Sequence, residues 1–329
     1  MKISNVLGID VSKTSLDCHL HVQGKTLSEV SNDSKGFAKL VKWLKVNCIK
    51  PEELLVVMEY TGIYTYGLER YLHQHGISFV KRPALDIKRS LGMVRGKTDK
   101  ADARFIGKYG WMRREELVPM KPVEKELVTL QQLMTYRDKM VADRASYQAR
   151  MKELKEHVTD GVHPGIIGSS DRMMLNLSTE IKLIEKDISR LIENNLLLRE
   201  SYELVTSVVG IGFATAVHFI ISTENFTRFS DVRKLICYCG VAPFKHESGS
   251  SIRGKTRVSN LANKKLKTLL TMAAICAVRF DPGLKAKYQQ KIAEGKPKMS
   301  VLNIIRAKLI ERIFVVVKRQ SKYEIRAAA

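Results

Sequence analysis

An N-terminal α/β domain, a helical coiled-coil middle and a mainly α C-terminal domain make up the fold class this sequence predicts. Three observations predict it. Short apolar runs of strand length alternate with amphipathic stretches over roughly the first hundred residues. Two long charged stretches, 124–157 and 172–198, carry apolar residues at helical spacing. Beyond residue 200 the sequence turns compact again, and its last quarter is strongly basic. With 329 residues, two or three domains are expected. The boundaries fall at 1–115, 116–200 and 201–329.

Residues 6–30 read as three short strands. VLGID is an apolar run ending in an acid, LDCHLHV alternates, and Gly24 turns the chain into KTLSEV. From Ser34 to about Val46 the spacing changes: Phe37, Leu40, Val41 and Leu44 define one face of a helix. Pro51 stops that region, and LLVVMEY (54–60) suits a strand buried on both faces. A helix from about Tyr64 to Gln74, a turn at Gly76 and the strand ISFV follow. Three strands, helix, strand, helix, strand is the order of a ribonuclease-H-like fold. Residues 83–97 read as a basic connection, and 98–113 as a further helix. The two long stretches, joined by TDGVHPGIIGSSD (159–171), read as antiparallel helices. Their apolar stripes suit either a hairpin within one chain or a dimer contact. LVTSVVGIGFATA (204–216) reads as helix, tight turn, helix.

The formal net charge is +22, and residues 251–329 hold 19 basic against 4 acidic residues. A bias concentrated at one end indicates a polyanion partner. A membrane surface is the rival, but Gly, Pro and polar residues interrupt the basic region, and it forms no long amphipathic helix. No apolar run reaches the roughly 18–20 residues that span a bilayer. The N-terminus reads straight into a strand, without a signal core, so a cytoplasmic location is expected. The five cysteines, at 18, 48, 237, 239 and 276, include no CxxC pair. Buried free thiols are expected rather than zinc ligands or disulfides.

Against this basic background four carboxylates stand out. Asp10 and Glu59 end apolar strands, and Asp99 and Asp102 are spaced i, i+3, on one face of a helix. Gly8 can let a neighbouring element come close to the first strand. Oxygen donors from two strands and one helix can hold a pair of hard cations about 4 Å apart. Mg²⁺ fits, because it takes carboxylate, phosphate and water oxygens and needs no His or Cys. Metal-assisted phosphodiester cleavage needs such a site. Lys97, Lys100 and Arg104, with Arg82, Lys88, Arg89 and Arg95 upstream, would hold the strand. Taken singly, each acid is equally a surface or capping carboxylate.

Two further segments suit phosphate. Gly210 and Gly212 can leave free N–H groups at a helix N-terminus, as in helix-hairpin-helix modules. GVAPFKHESGSSIRGKTRVSN (240–260) reads as a loop, with Ser248, Ser250 and Ser251 beside Arg253, Lys255 and Arg257. A helix starting near Asn260 carries Lys264, Lys265 and Lys267. On composition, a phosphate-binding Ser/Gly loop is favoured over a nucleophile there.

GIDVSK, MEYTGIY, KTDKADAR, VVGIG and GVAPFKHESGSSIRG together resemble the DEDD transposases of the IS110 insertion-sequence family. Their superfamily includes the Piv-type DNA invertases. The resemblance is collinear over nearly the whole chain. It implies a RuvC-like first domain, a coiled-coil middle and a C-terminal transposase domain. It also implies that Asp10, Glu59, Asp99 and Asp102 bind Mg²⁺, and that Ser248 is a nucleophile forming a phosphoserine with DNA. Donor and target double-stranded DNA, a homo-oligomer (dimer or tetramer) and a bridge RNA are the implied partners. An invertase without guide RNA, a Holliday-junction nuclease using water, and a non-catalytic nucleic-acid scaffold are the rivals.

Overall fold

The computed structural model describes residues 3–90, 99–158, 160–248 and 252–325. The chain divides into two compact units, Met1–Val123 and Glu124–Ala329.

The first unit is built on a five-stranded mixed sheet of order β3-β2-β1-β4-β5. Its strands are β1 (Asn5–Val11), β2 (Ser15–Leu20), β3 (Lys25–Ser31), β4 (Leu54–Glu59) and β5 (Ser78–Arg82). β1, β2 and β3 form an antiparallel meander, and β4 and β5 run parallel to β1. This is the ribonuclease-H-like order. β4 lies between β1 and β5, which explains its unbroken apolar run: Leu54 to Met58 are all buried.

Alternation along β1 and β2 sorts the side chains between two layers. Leu7, Ile9, Val11, Leu16, Cys18 and Leu20 face a core closed by α1 (Ser34–Val46) and α2 (Tyr66–Gln74). Asp33 caps α1, its carboxylate accepting from Gly36 N at 2.8 Å. On this side Lys81 pairs with Glu69 at 2.9 Å, both fully buried, and Thr65 donates to the same Glu69 oxygen at 2.6 Å. The other layer packs Val6, Leu55, Val57 and Val80 against α4 (Asp99–Met112) and α3 (Ala84–Ser90). The expected connection 83–97 thus contains the helix α3; Pro83 accepts the first turn's N–H bonds.

In the second unit α5 (Lys125–His157) and α6 (Pro164–Glu193) form an antiparallel hairpin. Arg137 bonds Glu185 at 2.7 Å and Arg144 bonds Ser178 at 3.2 Å, which fixes the register. α6 begins at Pro164, earlier than the residue 172 expected from sequence. Proline at the first turn loses no helical donor, and the His163 ring accepts from Gly165 N at 3.1 Å. α7 (Leu196–Thr206), α8 (Phe213–Ser222), α9 (Val232–Tyr238), α10 (Lys264–Phe280), α11 (Pro282–Ala293) and α12 (Lys298–Arg319) enclose one apolar core.

Part of the segment read as a loop is a hairpin: β6 (Pro243–Ser248) pairs antiparallel with β7 (Ile252–Val258). The ribbon belongs to no larger sheet, and Phe244 and Arg257 are exposed. Backbone bonds hold such a ribbon, so its sequence needs no apolar alternation, and the strand signal was missing. α10 begins at Lys264, four residues later than expected, because Asn263 caps it through Leu266 N at 3.0 Å. All five cysteines are free; Cys18 and Cys239 are buried, Cys48 is exposed. No helix among the described residues is long and apolar enough to cross a membrane.

Candidate active site

The acids of the first unit meet through sheet register. β1 and β4 are parallel neighbours with Ile9 opposite Met58, so Asp10 and Glu59 are the next residues on each strand. Ile9 and Met58 point into the α1/α2 core. By alternation Asp10 and Glu59 therefore face the α4 layer. Glu59 stands opposite Arg82 on β5, and Asp10 stands directly opposite Asp17 on β2. One face of the sheet thus carries a row of ionisable side chains in the order Asp17, Asp10, Glu59, Arg82. The Arg82 Nε is buried without a hydrogen-bond partner among the described residues.

Glycines bring α4 down onto this row. A β-carbon at Gly8 would stand 2.2 Å from the Ala103 carbonyl oxygen and 2.2 Å from Gly107 N. One at Gly110 would stand 2.8 Å from Val6 Cγ1 and 2.6 Å from Val57 Cγ2. The C-terminal part of α4 therefore lies over Val6 and its middle over Gly8. The helix runs antiparallel to β1, and its first turn lies toward Asp10. Two strand residues advance about 6.6 Å, which four to five helical residues match. Two residues beyond Gly8 on β1 is Asp10; four to five residues before the Ala103–Gly107 segment is the first turn of α4, where Asp99 and Asp102 lie. Asp102 is half-buried; the Asp99 side chain lies outside the described residues.

This placement suits a divalent cation in its chemistry: Asp10, Glu59 and Asp102 are hard oxygen donors on one face, in a chain rich in positive charge. Among the described residues no three His, Cys, Asp or Glu side chains stand together as a formed metal set. His19 on β2 and His21 just beyond its end lie under α4 at Gly107. The His19 imidazole is held below its ordinary pKa by burial first, then by Arg104 and His21. His21 is lowered by burial and by Lys108. Both shifts favour the neutral imidazole. Sequence reading did not place Asp17, His19 and His21 on this side of the sheet. The alternation of LDCHLHV carried the signal, once β2 is folded back on β1.

The remaining sequence-predicted positions divide into four groups. Lys97 and the side chains of Lys100, Ser248, Arg253 and Lys255 lie outside the described residues; in backbone, Ser248 ends β6 opposite Ile252. Arg104, Arg257 and Lys264 are exposed, and Lys267 is half-buried. Lys265 is engaged within the fold, its ammonium 2.6 Å from Asp138 Oδ2. The same Asp138 oxygen lies 2.9 Å from His218 Nε2. Burial would raise the Asp138 pKa, but the hydrogen bonds and charges of His218 and Lys265 prevail and hold it at about 2. Gly210, at φ +92°, forms the turn between α7 and α8, and a β-carbon there would lie 2.5 Å from Ala273 O. Helix packing thus requires that glycine. Gly212 faces open space at the N-terminus of α8.

Comparison with known proteins covers both units. Residues 7–158 match the family model described as a DEDD transposase of the IS110 type, and residues 202–289 match the model "Transposase IS116/IS110/IS902 family". The chain is 25% identical over 328 residues to the "Pilin gene-inverting protein" of Moraxella bovis, covering 97% of this chain and 98% of that one. It is 24% identical over 305 residues to the "Transposase for insertion sequence element IS1111A" of Coxiella burnetii, covering 85% and 79% respectively. An insertion element IS116 protein of Streptomyces clavuligerus is 21% identical over 340 residues, covering 83% and 84%. A DEDD nuclease domain works with a divalent metal ion. With a ribonuclease-H-like first unit and a helical second unit each matched by that family, the chain belongs to the IS116/IS110/IS902 family of transposases, enzymes that cleave and join DNA.

Proposed function

We propose that this chain is a Mg²⁺-dependent recombinase that cuts donor and target DNA and rejoins them through a phosphoserine at Ser248. The register that sets Asp10 beside Glu59, under a helix whose first turn carries Asp99 and Asp102, carries this reading. Asp10, Glu59, Asp99 and Asp102 hold the cation. When bound, Mg²⁺ neutralises charge on the reacting phosphate and lowers the pKa of a coordinated hydroxyl. In the first step the Ser248 Oγ attacks phosphorus and loses its proton. The phosphorus–oxygen bond to one deoxyribose breaks, and the departing oxygen takes up a proton. In the second step a deoxyribose hydroxyl attacks the phosphoserine, restoring a DNA phosphodiester and the serine. The bond energy is kept in the ester, so rejoining needs no other energy source.

The proposal extends to organisation and partners. The chain has a RuvC-like part at 1–115, a coiled-coil hairpin at 116–200 and a C-terminal part at 201–329 that carries the serine. The hairpin assembles a dimer or tetramer. A bridge RNA pairs with the DNA, and the +22 charge supports this, since RNA and two duplexes need many phosphate contacts. Lys97, Lys100, Arg104, Gly212, Arg253, Lys255, Arg257, Lys264 and Lys267 supply such contacts. Gly210 shapes the turn beside Gly212, and Lys265 contributes through the edge of its Asp138 pair.

The nearly full-length match to pilin gene-inverting proteins favours a second reading, in which the same chemistry inverts a DNA segment without RNA. The deciding experiment incubates the protein with labelled DNA and Mg²⁺ and looks for a covalent protein–DNA adduct. The adduct is expected with the wild type and absent with Ser248→Ala. Strand exchange that survives Ser248→Ala sinks the proposal. Sequencing RNA that co-purifies from the host, and mapping the products as insertions or inversions, separates the two readings.

A further inference from the structure

We infer that Arg306 is a DNA-binding residue whose guanidinium takes one backbone phosphate at the base of the β6–β7 ribbon. The inference rests on DNA as the substrate of this family and not on the chemistry of Ser248. Arg306 lies beyond residues 202–289, the segment matched by the second family model, and is none of the contacts named above.

Arg306 sits on α12 and is only 4% exposed. Among the described residues, Glu69, Lys81, Asp281 and Arg306 are the acids, lysines and arginines that are buried. The first three are neutralised inside the fold, Glu69 by Lys81 at 2.9 Å and Asp281 by Arg312 at 2.7 Å. Arg306 has no carboxylate partner among the described residues. Its Nη1 reaches Asn303 Oδ1 at 3.5 Å, the far limit of a hydrogen bond, and its buried Nε has no partner among them. Burial lowers its pKa from the ordinary arginine value, and no neighbouring charge counters the shift. A guanidinium still keeps its proton at neutral pH. Burying an ion without a counter-charge is costly, and an apolar side chain of similar volume avoids that cost. The charge is therefore matched to an anion from outside the chain.

Position and geometry identify the anion. Asn303 and Arg306 are spaced i, i+3 and share one face of α12. The Asn303 amide donates from Nδ2 to Val241 O at 2.7 Å, and Val241 lies two residues before Pro243, where β6 starts. The guanidinium thus stands one side chain away from the root of the ribbon. The same end of the ribbon carries Arg257, opposite Phe244 and exposed. With Nη1 turned to Asn303, the Nε–Nη2 edge is left over. Two parallel N–H groups on that edge match two oxygens of a phosphate, a geometry that lysine does not offer. DNA supplies the phosphate, because cleaving and joining bring a DNA strand to the chain.

One substitution is expected to act in opposite directions on the free and DNA-bound protein. In the purified full-length chain, Arg306→Met removes the unmatched charge and keeps much of the volume, so the free protein melts at the same or a higher temperature. The same variant binds a labelled DNA duplex about ten- to a hundredfold more weakly, the worth of a hydrogen-bonded ion contact. Its affinity also falls less steeply with salt, the log–log slope being smaller by about one. Arg306→Lys keeps the wild-type slope but loses the paired edge, and its affinity falls between the two. Wild-type affinity and slope in Arg306→Met overturn the inference. A lower melting temperature with an unchanged slope assigns Arg306 a structural role and overturns it too. A loss confined to a single-stranded RNA probe, with duplex binding intact, assigns the anion to RNA and overturns the DNA site. A wild-type chain that binds no duplex removes the premise and the inference together. Should Arg306→Met fail to fold, Arg306→Gln removes the charge while keeping a donor toward Asn303, and the same readouts decide.

Discussion

Replacing Gly8 by alanine tests whether the docking of α4 builds the site. The added β-carbon would lie 2.2 Å from Ala103 O and 2.2 Å from Gly107 N, both backbone atoms of α4. Ordinary contact begins near 3.4 Å, so the helix must move off β1 by more than about 1 Å at that point. Overpacking of this kind costs about 1–3 kcal/mol of stability. The effect on chemistry is larger, because the same movement carries Asp99 and Asp102 away from Asp10 and Glu59. A misplacement of about 1 Å costs on the order of a hundredfold in rate. The assay compares urea unfolding with metal-dependent DNA cleavage for the wild type, Gly8→Ala and Gly67→Ala. The Gly67 control has only ordinary contact, 3.4 Å to Phe37, in the first turn of α2, and alanine there is expected to be neutral or slightly stabilising. Wild-type stability and cleavage in Gly8→Ala would refute the argument that close approach at Gly8 positions the helix acids.

Three other outcomes follow from the packing. Glu69→Ala leaves the Lys81 ammonium buried without its carboxylate and costs about 3–5 kcal/mol in urea unfolding; adding Lys81→Met recovers most of it. Gly210→Ala combines a positive φ with a 2.5 Å approach to Ala273 O and destabilises the second unit by about 2–4 kcal/mol, read by calorimetry. The Asp138 pKa is depressed from 3.8 to about 2, so its pairing with His218 and Lys265 stabilises the fold above about pH 4. That contribution fades as pH falls through 2. After allowance for solvent screening it amounts to about 1 kcal/mol, measurable as a wild-type to Asp138→Asn difference at pH 7 that vanishes near pH 2.

Much of the first unit was legible because its elements announce themselves locally. A buried central strand reads as LLVVM, an amphipathic helix as Phe37, Leu40, Val41 and Leu44, and turns as Gly24 and Gly76. The acids at strand ends and the helical pair were equally visible. The β6–β7 ribbon was not, because PFKHES and IRGKTRV carry no apolar alternation. The start of α6 was hidden by Pro164 and Gly165, residues that sequence reading takes as breakers and that the first turn of a helix accepts.

The sequence by itself determined the order of strands and helices along the chain, the helical hairpin, the concentration of positive charge and the four acids of the motif, since periodicity, turn residues and charge are local properties. Tertiary structure alone decided what stands beside what. Register across β1 and β2 opposed Asp17 to Asp10, and a glycine contact set the level of α4 over the sheet. Packing of α5 against α8 and α10 committed Lys265 to Asp138, although its sequence neighbourhood reads as phosphate-binding. Side-chain partners come from segments distant in sequence, and only the closed fold brings them within bonding distance.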